Sequence, residues 1–246
     1  MIVDTMTYEE IINEYDKVLE NHPFGFEDLD LKKIRRFFIK NKNVTNIFMT
    51  PITKKIDDNA RLYIIPFLTD KKCIENREIH KLQFMIYRTS HGMMVIKKRY
   101  RTDLGCSFYT FTSSHFFDRY RERHLKNDQM SKKEVIIDFY KTNYKGDALY
   151  AFPSTEEGGE RHFLSSYETG MAIGTMVSDY IFLYKTYIDP SDMTNIKKEN
   201  LSVLNEMREE ERQCNQKIID AIKREPELYR EVKNNQHFQH INFGCM

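Results

Sequence analysis

An imidazole, two guanidiniums and a carboxylate recur at three- and four-residue intervals in the stretch SSHFFDRYRERHLK, at His115, Arg119, Glu122 and Arg123. At about 100° per residue, a helix through this stretch places all four on one stripe and Phe116, Phe117 and Tyr120 on another. The apolar stripe would pack on a sheet and leave the polar one at an accessible edge. Such a set suffices for metal-independent phosphodiester cleavage. A base takes the 2′-hydroxyl proton, an acid protonates the leaving oxygen, and arginines hold the phosphate oxygens. The same spacing also describes an ordinary salt-bridged surface helix.

Competing chemistry is thinner. His162, beside Arg161 and Glu160, could join the site from a strand, although a single sheet histidine is usually structural. His115, Asp118 and Glu122 offer metal-type ligands along one helix, but no second His/Asp/Glu cluster completes a site, so neither a metal nor another cofactor is expected. Cys73, Cys106, Cys214 and Cys245 form no CxxC pair and read as reduced thiols. No GxGxxG, GxxxxGK[ST] or GxSxG motif occurs, and the order of elements lacks the βαβ alternation of the folds that carry them.

The elements that must position these residues follow from periodicity. TYEEIINEYDKVLE spaces Ile11, Ile12, Tyr15, Val18 and Leu19 as a helix, with Thr7 and Glu10 as a capping box. A second helix follows Asp28 or Asp30. NIFMTPITKK, ARLYIIPFLTD, KLQFMIYRT, MMVIKKRYR and CSFYTFT read as strands, with a hairpin turn at His91-Gly92. A hydroxyl at Thr112-Ser113-Ser114 can cap the helix HFFDRYRERHLK, and Ser131 with Glu134 opens another, KKEVIIDFYKTN. ALYAF, RHFLSSY, TGMAIGTMV and DYIFLYKTYI are further strands. From Pro190 to about Asn234 a long, charged helix is expected.

A net charge of +1 conceals a dipolar chain: residues 31–126 hold 22 of the 38 Lys and Arg but only 8 of the 37 Asp and Glu. Basic residues interleave with Tyr100, Phe108, Tyr109 and Tyr120, the pairing of charge and stacking surface that nucleic-acid binding uses. Lys97, Lys98, Arg99, Arg101 and Arg121 are the candidates for that contact. The alternative is that the acidic ends fold back and cancel the field.

The H-x3-R-x3-R helix, the following helix opened by Ser131 and the strands ending in Lys185-Thr186-Tyr187 resemble the barnase/EndoU/colicin/RelE group of small toxin-like ribonucleases. The resemblance covers residues 107–188; the extension before it and the segment after it lie outside that fold. It implies that His115, Arg119 and Arg123 act on RNA without a metal. It also implies that Thr186 or Tyr187 supplies a hydroxyl facing the helix.

The chain is therefore expected to be an α+β protein with a mostly antiparallel sheet and a central helix pair. Its parts would be an N-terminal helical segment (1–43), an α+β core (44–189) and a charged helical segment (190–246). No apolar run approaches the roughly 20 residues that span a bilayer, and a cytoplasmic setting is expected. The expected activity is metal-independent RNA cleavage of toxin or effector type. Its rivals are a non-catalytic accessory factor of a prophage or mobile element that binds nucleic acid or protein, and an interaction protein working through the C-terminal helix.

Overall fold

A computed structural model describes residues 2–41, 46–69, 72–101, 106–145, 148–151 and 159–193, with scattered positions between 202 and 224. The chain opens with α1 (Tyr8–Asn21). Its start is fixed by Thr7, whose hydroxyl accepts from Glu10 N while Glu10 Oε2 accepts from Thr7 N at 2.7 Å. Helix α2 (Leu31–Lys40) is capped by Asp30, which accepts from Lys33 N at 3.1 Å. Then come β1 (Ile47–Phe48), β2 (Ile52–Lys55), β3 (Ala60–Leu68), the single turn α3 (Lys72–Glu75), β4 (His80–Thr89), β5 (Gly92–Arg101) and β6 (Cys106–Thr112). Helices α4 (Ser114–Tyr120) and α5 (Lys132–Thr142) follow, then β7 (Ala148–Ala151), β8 (Arg161–Ser166), β9 (Met171–Ser178) and β10 (Ile181–Ile188).

The ten strands among the described residues form one sheet, in the order β1-β3-β4-β5-β6-β10-β9-β8-β7, with β2 also on β3. Every pairing is antiparallel except β6 with β10, which run parallel from Tyr109↔Ile181 to Thr112↔Tyr184. The chain is thus α+β with a mostly antiparallel sheet.

The long apolar run of β3 reflects cover on both faces. Leu62 and Ile64 join Ile11, Ile12 and Tyr15 of α1, while Tyr63, Ile65 and Phe67 join Phe116 and Phe117 of α4 and Val135, Ile136 and Phe139 of α5. Two side-chain parities therefore serve two cores, and the N-terminal helix is a layer of the same fold as residues 44–189.

Two departures from regularity shape the region of α4. The expected single helix through Lys126 is α-helical only to Tyr120. It then widens to a π turn over Arg121–Leu125, in which Lys126 N donates to Arg121 O at 2.8 Å and Lys126 takes a left-handed φ of 51°. On β10, the register to β9 slips between Tyr184 and Thr186, so Lys185 is the extra residue of a bulge. The bulge shifts parity: Phe182, Tyr184 and Tyr187 all lie on the α4–α5 side. After β10 comes a 3-10 turn, Pro190–Asp192. The long C-terminal helix expected from Pro190 to Asn234 lies outside the described residues, apart from the scattered helical positions. No helix among the described residues is long and apolar enough to cross a membrane.

Candidate functional site

Helix α4 begins where β6 ends. Ser113 accepts from Phe116 N with its hydroxyl and donates that hydroxyl to Lys185 O at 3.2 Å, tying the helix start to the β10 bulge. Phe116, Phe117 and Tyr120 are fully buried against α5 and β10. That burial turns the opposite stripe outward.

On the stripe, Arg119 links its two neighbours. Its Nε donates to His115 Nε2 at 3.4 Å and its Nη1 donates to Glu122 Oε2 at 2.9 Å. A nitrogen that accepts from a guanidinium carries its lone pair, so in this arrangement a neutral His115 ring holds its proton on Nδ1. His115 and Glu122 are bridged rather than in direct contact. The guanidinium keeps further N–H groups for an anion.

Arg123 leaves the set. Its Nη1 donates to Tyr187 O at 2.9 Å and its Nε lies 3.5 Å from Asp192, so it fastens the π turn to the end of β10. The widened turn alters the phase on which the four-residue spacing relied. The strand hydroxyls are also apart from the stripe. Tyr187 does face α4, but its ring is buried against Phe116 and Tyr120 and its hydroxyl donates to Thr169 O at 2.5 Å. Thr186 pairs with Ile173, which belongs to the small cluster of Met171, Ile188 and Met193 rather than to the α4–α5 core. Neighbours on a strand face opposite sides, and the bulge at Lys185 decides that Tyr187 rather than Thr186 is the one that faces α4.

The five candidate nucleic-acid contacts do not share a face. Lys97 and Arg99 point under α5. Lys98, one residue along the same strand, pairs with Asp16 of α1 at 3.0 Å on the other side of the sheet and lies over the Tyr109 ring. Arg121 lies 3.7 Å from Asp118, which also pairs with Lys132, and the Arg121 Nε is buried without a partner. The Arg101 side chain lies outside the described residues. His162 is exposed, 3.9 Å from Glu160 and on β8 rather than near His115. Among the described residues, no three His, Cys, Asp or Glu side chains gather as a metal site would require.

Two arrangements escape a reading of spacing, one because its members are distant in the chain and the other because its members come from three successive elements, the end of β3, α3 and the start of β4. His124, on the π turn, stacks on Tyr120 with ring centroids 5.1 Å apart and sets Nδ1 3.3 Å from Asp189 Oδ2. Burial works against the charge on Asp189, but hydrogen bonds from Ser191 and His124 outweigh it and hold the carboxyl below the usual aspartate range. The only local signal is D-P-S-D, a capping pattern. Cys73 and His80, both buried, approach at 3.8 Å with Thr69 3.1 Å from the thiol.

Lys97 is a lysine whose charge the fold disfavours. Its ammonium sits 5.2 Å from the centre of the Tyr140 ring, and loss of water, then the charge of Arg99, push its pKa down to about 7. The titratable groups around it are Arg99 from its own strand, Tyr140 from α5 and Tyr167 after β8; burial raises both phenols. An unfolded lysine titrates near 10.4. Between about pH 7 and pH 10 the unfolded chain therefore holds a proton that the folded chain lacks, and stability rises with pH at up to about 1.4 kcal/mol per unit. Lys97→Met is expected to flatten this rise relative to wild type and to raise the urea midpoint most at pH 6–7. Parallel midpoint profiles from pH 6.5 to 9.5 would refute it.

No protein-family model, curated protein or solved structure matches this chain.

Proposed function

We propose that this protein is a metal-independent endoribonuclease that acts at the outward edge of α4, in keeping with the resemblance to the toxin-like ribonucleases. The observation that carries the reading is the hydrogen-bonded series Glu122–Arg119–His115 on an accessible helix edge whose other side is locked by aromatic packing. In this mechanism the Arg119 Nε–H turns from His115 Nε2 to a phosphate oxygen, and the freed Nε2 lone pair takes the 2′-hydroxyl proton as general base while the 2′-oxygen bonds to phosphorus, the P–O5′ bond breaks and the 5′-oxygen takes a proton from water. Arg119 neutralises the charge that builds on the phosphate oxygens, and Glu122 holds the guanidinium in place. Arg123 then has a positioning role, through Tyr187 O and Asp192. RNA is the partner this chemistry needs, and a cytoplasmic setting goes with it.

The test is incubation of labelled single-stranded RNA with the protein in excess EDTA. Wild type is expected to release fragments ending in 2′,3′-cyclic phosphate, and His115→Ala to lose at least about a hundredfold in rate with an unchanged urea midpoint. Cleavage by His115→Ala at the wild-type rate, or loss in His124→Ala alone, would move the catalytic base away from His115. RNA that is retarded on a gel but never cut would replace the enzyme by the accessory factor. Neither cutting nor retardation would leave a protein partner of the charged C-terminal segment.

A further inference from the structure

Helix α2 carries a charge that nothing in the fold answers. Five of its ten residues are cations, Lys32, Lys33, Arg35, Arg36 and Lys40, and none is acidic. All five are exposed, and none of their side chains makes an ion pair or hydrogen bond among the described residues. The carboxylates just before the helix are engaged elsewhere. Asp30 accepts from Lys33 N, Asp28 accepts from Gly25 N, and Glu27 pairs with Arg77 at 2.9 Å.

Local physics works against this arrangement. Lys32 and Lys33 lie in the first turn, at the positive end of the helix dipole, and Lys32 with Arg36 and Arg36 with Lys40 are like charges one turn apart. Leu31, Ile34 and Phe38 turn inward onto Phe26, Leu68 and Ile74. On the outer side Lys32, Lys33, Arg36 and Lys40 fall within about 100° of arc, and successive members of the row Lys32, Arg36 and Lys40 stand about 6 Å apart along the axis. Two apolar side chains border the row on opposite sides, Phe37 at 40% exposure and Ile39 at 72%.

We propose that the outer face of α2 is a docking surface for single-stranded nucleic acid, with the cation row on the phosphates and Phe37 against a base. Unpaired cations at regular spacing complement a polyanion, and an accessible ring beside them offers a stacking face. A lipid surface fits less well. It takes up one continuous apolar face, whereas that face of α2 is packed in the protein, and Phe37 and Ile39 lie about 160° apart around the helix. Leu68, beneath α2, has the parity of Leu62 and Ile64 and the opposite parity to Phe67, so the surface lies on the α1 side of the sheet, away from α4. It goes beyond the ribonuclease reading and does not depend on it.

The test is the fluorescence anisotropy of a short labelled single-stranded DNA titrated with the full chain over a range of salt. This probe lacks the 2′-hydroxyl that the proposed cleavage needs, so its outcome is separate from that of the ribonuclease assay. Wild type is expected to bind. A variant with Lys32, Lys33, Arg36 and Lys40 all changed to Gln is expected to bind at least about tenfold more weakly, with the slope of log affinity against log salt smaller by about 3. Its urea midpoint should not fall, because only repulsion is removed. The double variant Lys32→Gln/Lys40→Gln, with an intermediate loss, keeps the test readable if it does. Phe37→Ala should weaken binding about tenfold at an unchanged salt slope. His115→Ala should bind as wild type does, and so should a control with Lys54, Arg61, Arg88 and Lys126, all exposed and away from α2, changed to Gln. No binding by wild type, an equal loss in the control and the α2 variant, or wild-type binding by the α2 variant overturns the proposal. Binding to phosphatidylserine-containing vesicles but not to the oligonucleotide also overturns it, and makes α2 a membrane surface instead.

Discussion

Gly174→Ala is expected to lower stability by about 3 kcal/mol or more, placing it at the severe end of overpacking substitutions. Gly174 sits mid-strand in β9, between β8 and β10, next to the register slip at Lys185. A methyl group there would stand 2.1 Å from Leu183 O and 2.5 Å from Phe163 Cζ. The first obstacle is backbone in a neighbouring strand; the second is a ring fully buried against Phe182 and Tyr184. Neither can turn aside as a flexible side-chain end could, so β9 and β10 must separate. The reading is the urea midpoint with an unchanged slope, and a shift below about 0.5 kcal/mol would show that the two strands do not approach this closely. Because β10 carries Tyr184 and Tyr187, on which α4 rests, this substitution should also reduce any activity that resides on α4.

Phe116→Ala should cost about 3–5 kcal/mol, the range of a fully buried aromatic truncated to a methyl. Phe116 is 0% exposed, and its ring meets Phe117, Phe139, Tyr184 and Tyr187 edge-on at centroid distances of 5.1 to 6.2 Å. It joins the helix pair to the sheet. Phe116→Leu, which keeps most of the volume, should recover more than half of the loss. Equal destabilisation by both would show that ring geometry, rather than filled space, sets the stability of this core. The neighbouring residue in sequence is His115, so the alanine variant should also lose the proposed RNA cleavage at temperatures where it remains folded.

Much of the architecture could be read from local chemistry. The capping boxes at Thr7/Glu10 and Ser131/Glu134 and the cap at Ser113 all rest on interactions within a few residues, whereas NIFMTPITKK, read as one strand, divides into β1 and β2. What escaped depends on distant partners or on one-residue irregularities. Nothing in CSFYTFT or DYIFLYKTYI announces that these two strands run parallel. The slip at Lys185 is invisible in a period-2 pattern, yet it decides that Tyr187 faces α4 and Thr186 does not. The π turn likewise follows from contacts of Arg123 and His124 with the end of β10, not from RERHL itself. The split of the basic cluster was available in principle. Lys97 and Lys98 are adjacent on a strand and must face opposite sides.

The parallel pairing of β6 with β10 also governs how the chain reaches this structure. The strands on either side of that seam, from β1 to β6 and from β7 to β10, pair only with strands of their own group, mostly through short connections. Across the seam Tyr109 meets Ile181, a partner 72 positions later. Closing so large a loop carries its entropic cost before any contact repays it, so the two groups are expected to form first and the seam last. Pulsed hydrogen exchange would then find the amides of β4 and β5 protected ahead of Tyr109 N, which donates to Tyr180 O across the junction. Helix α4, which bears the proposed ribonuclease centre, follows β6 and rests on β10, so that site would mature only in the final step.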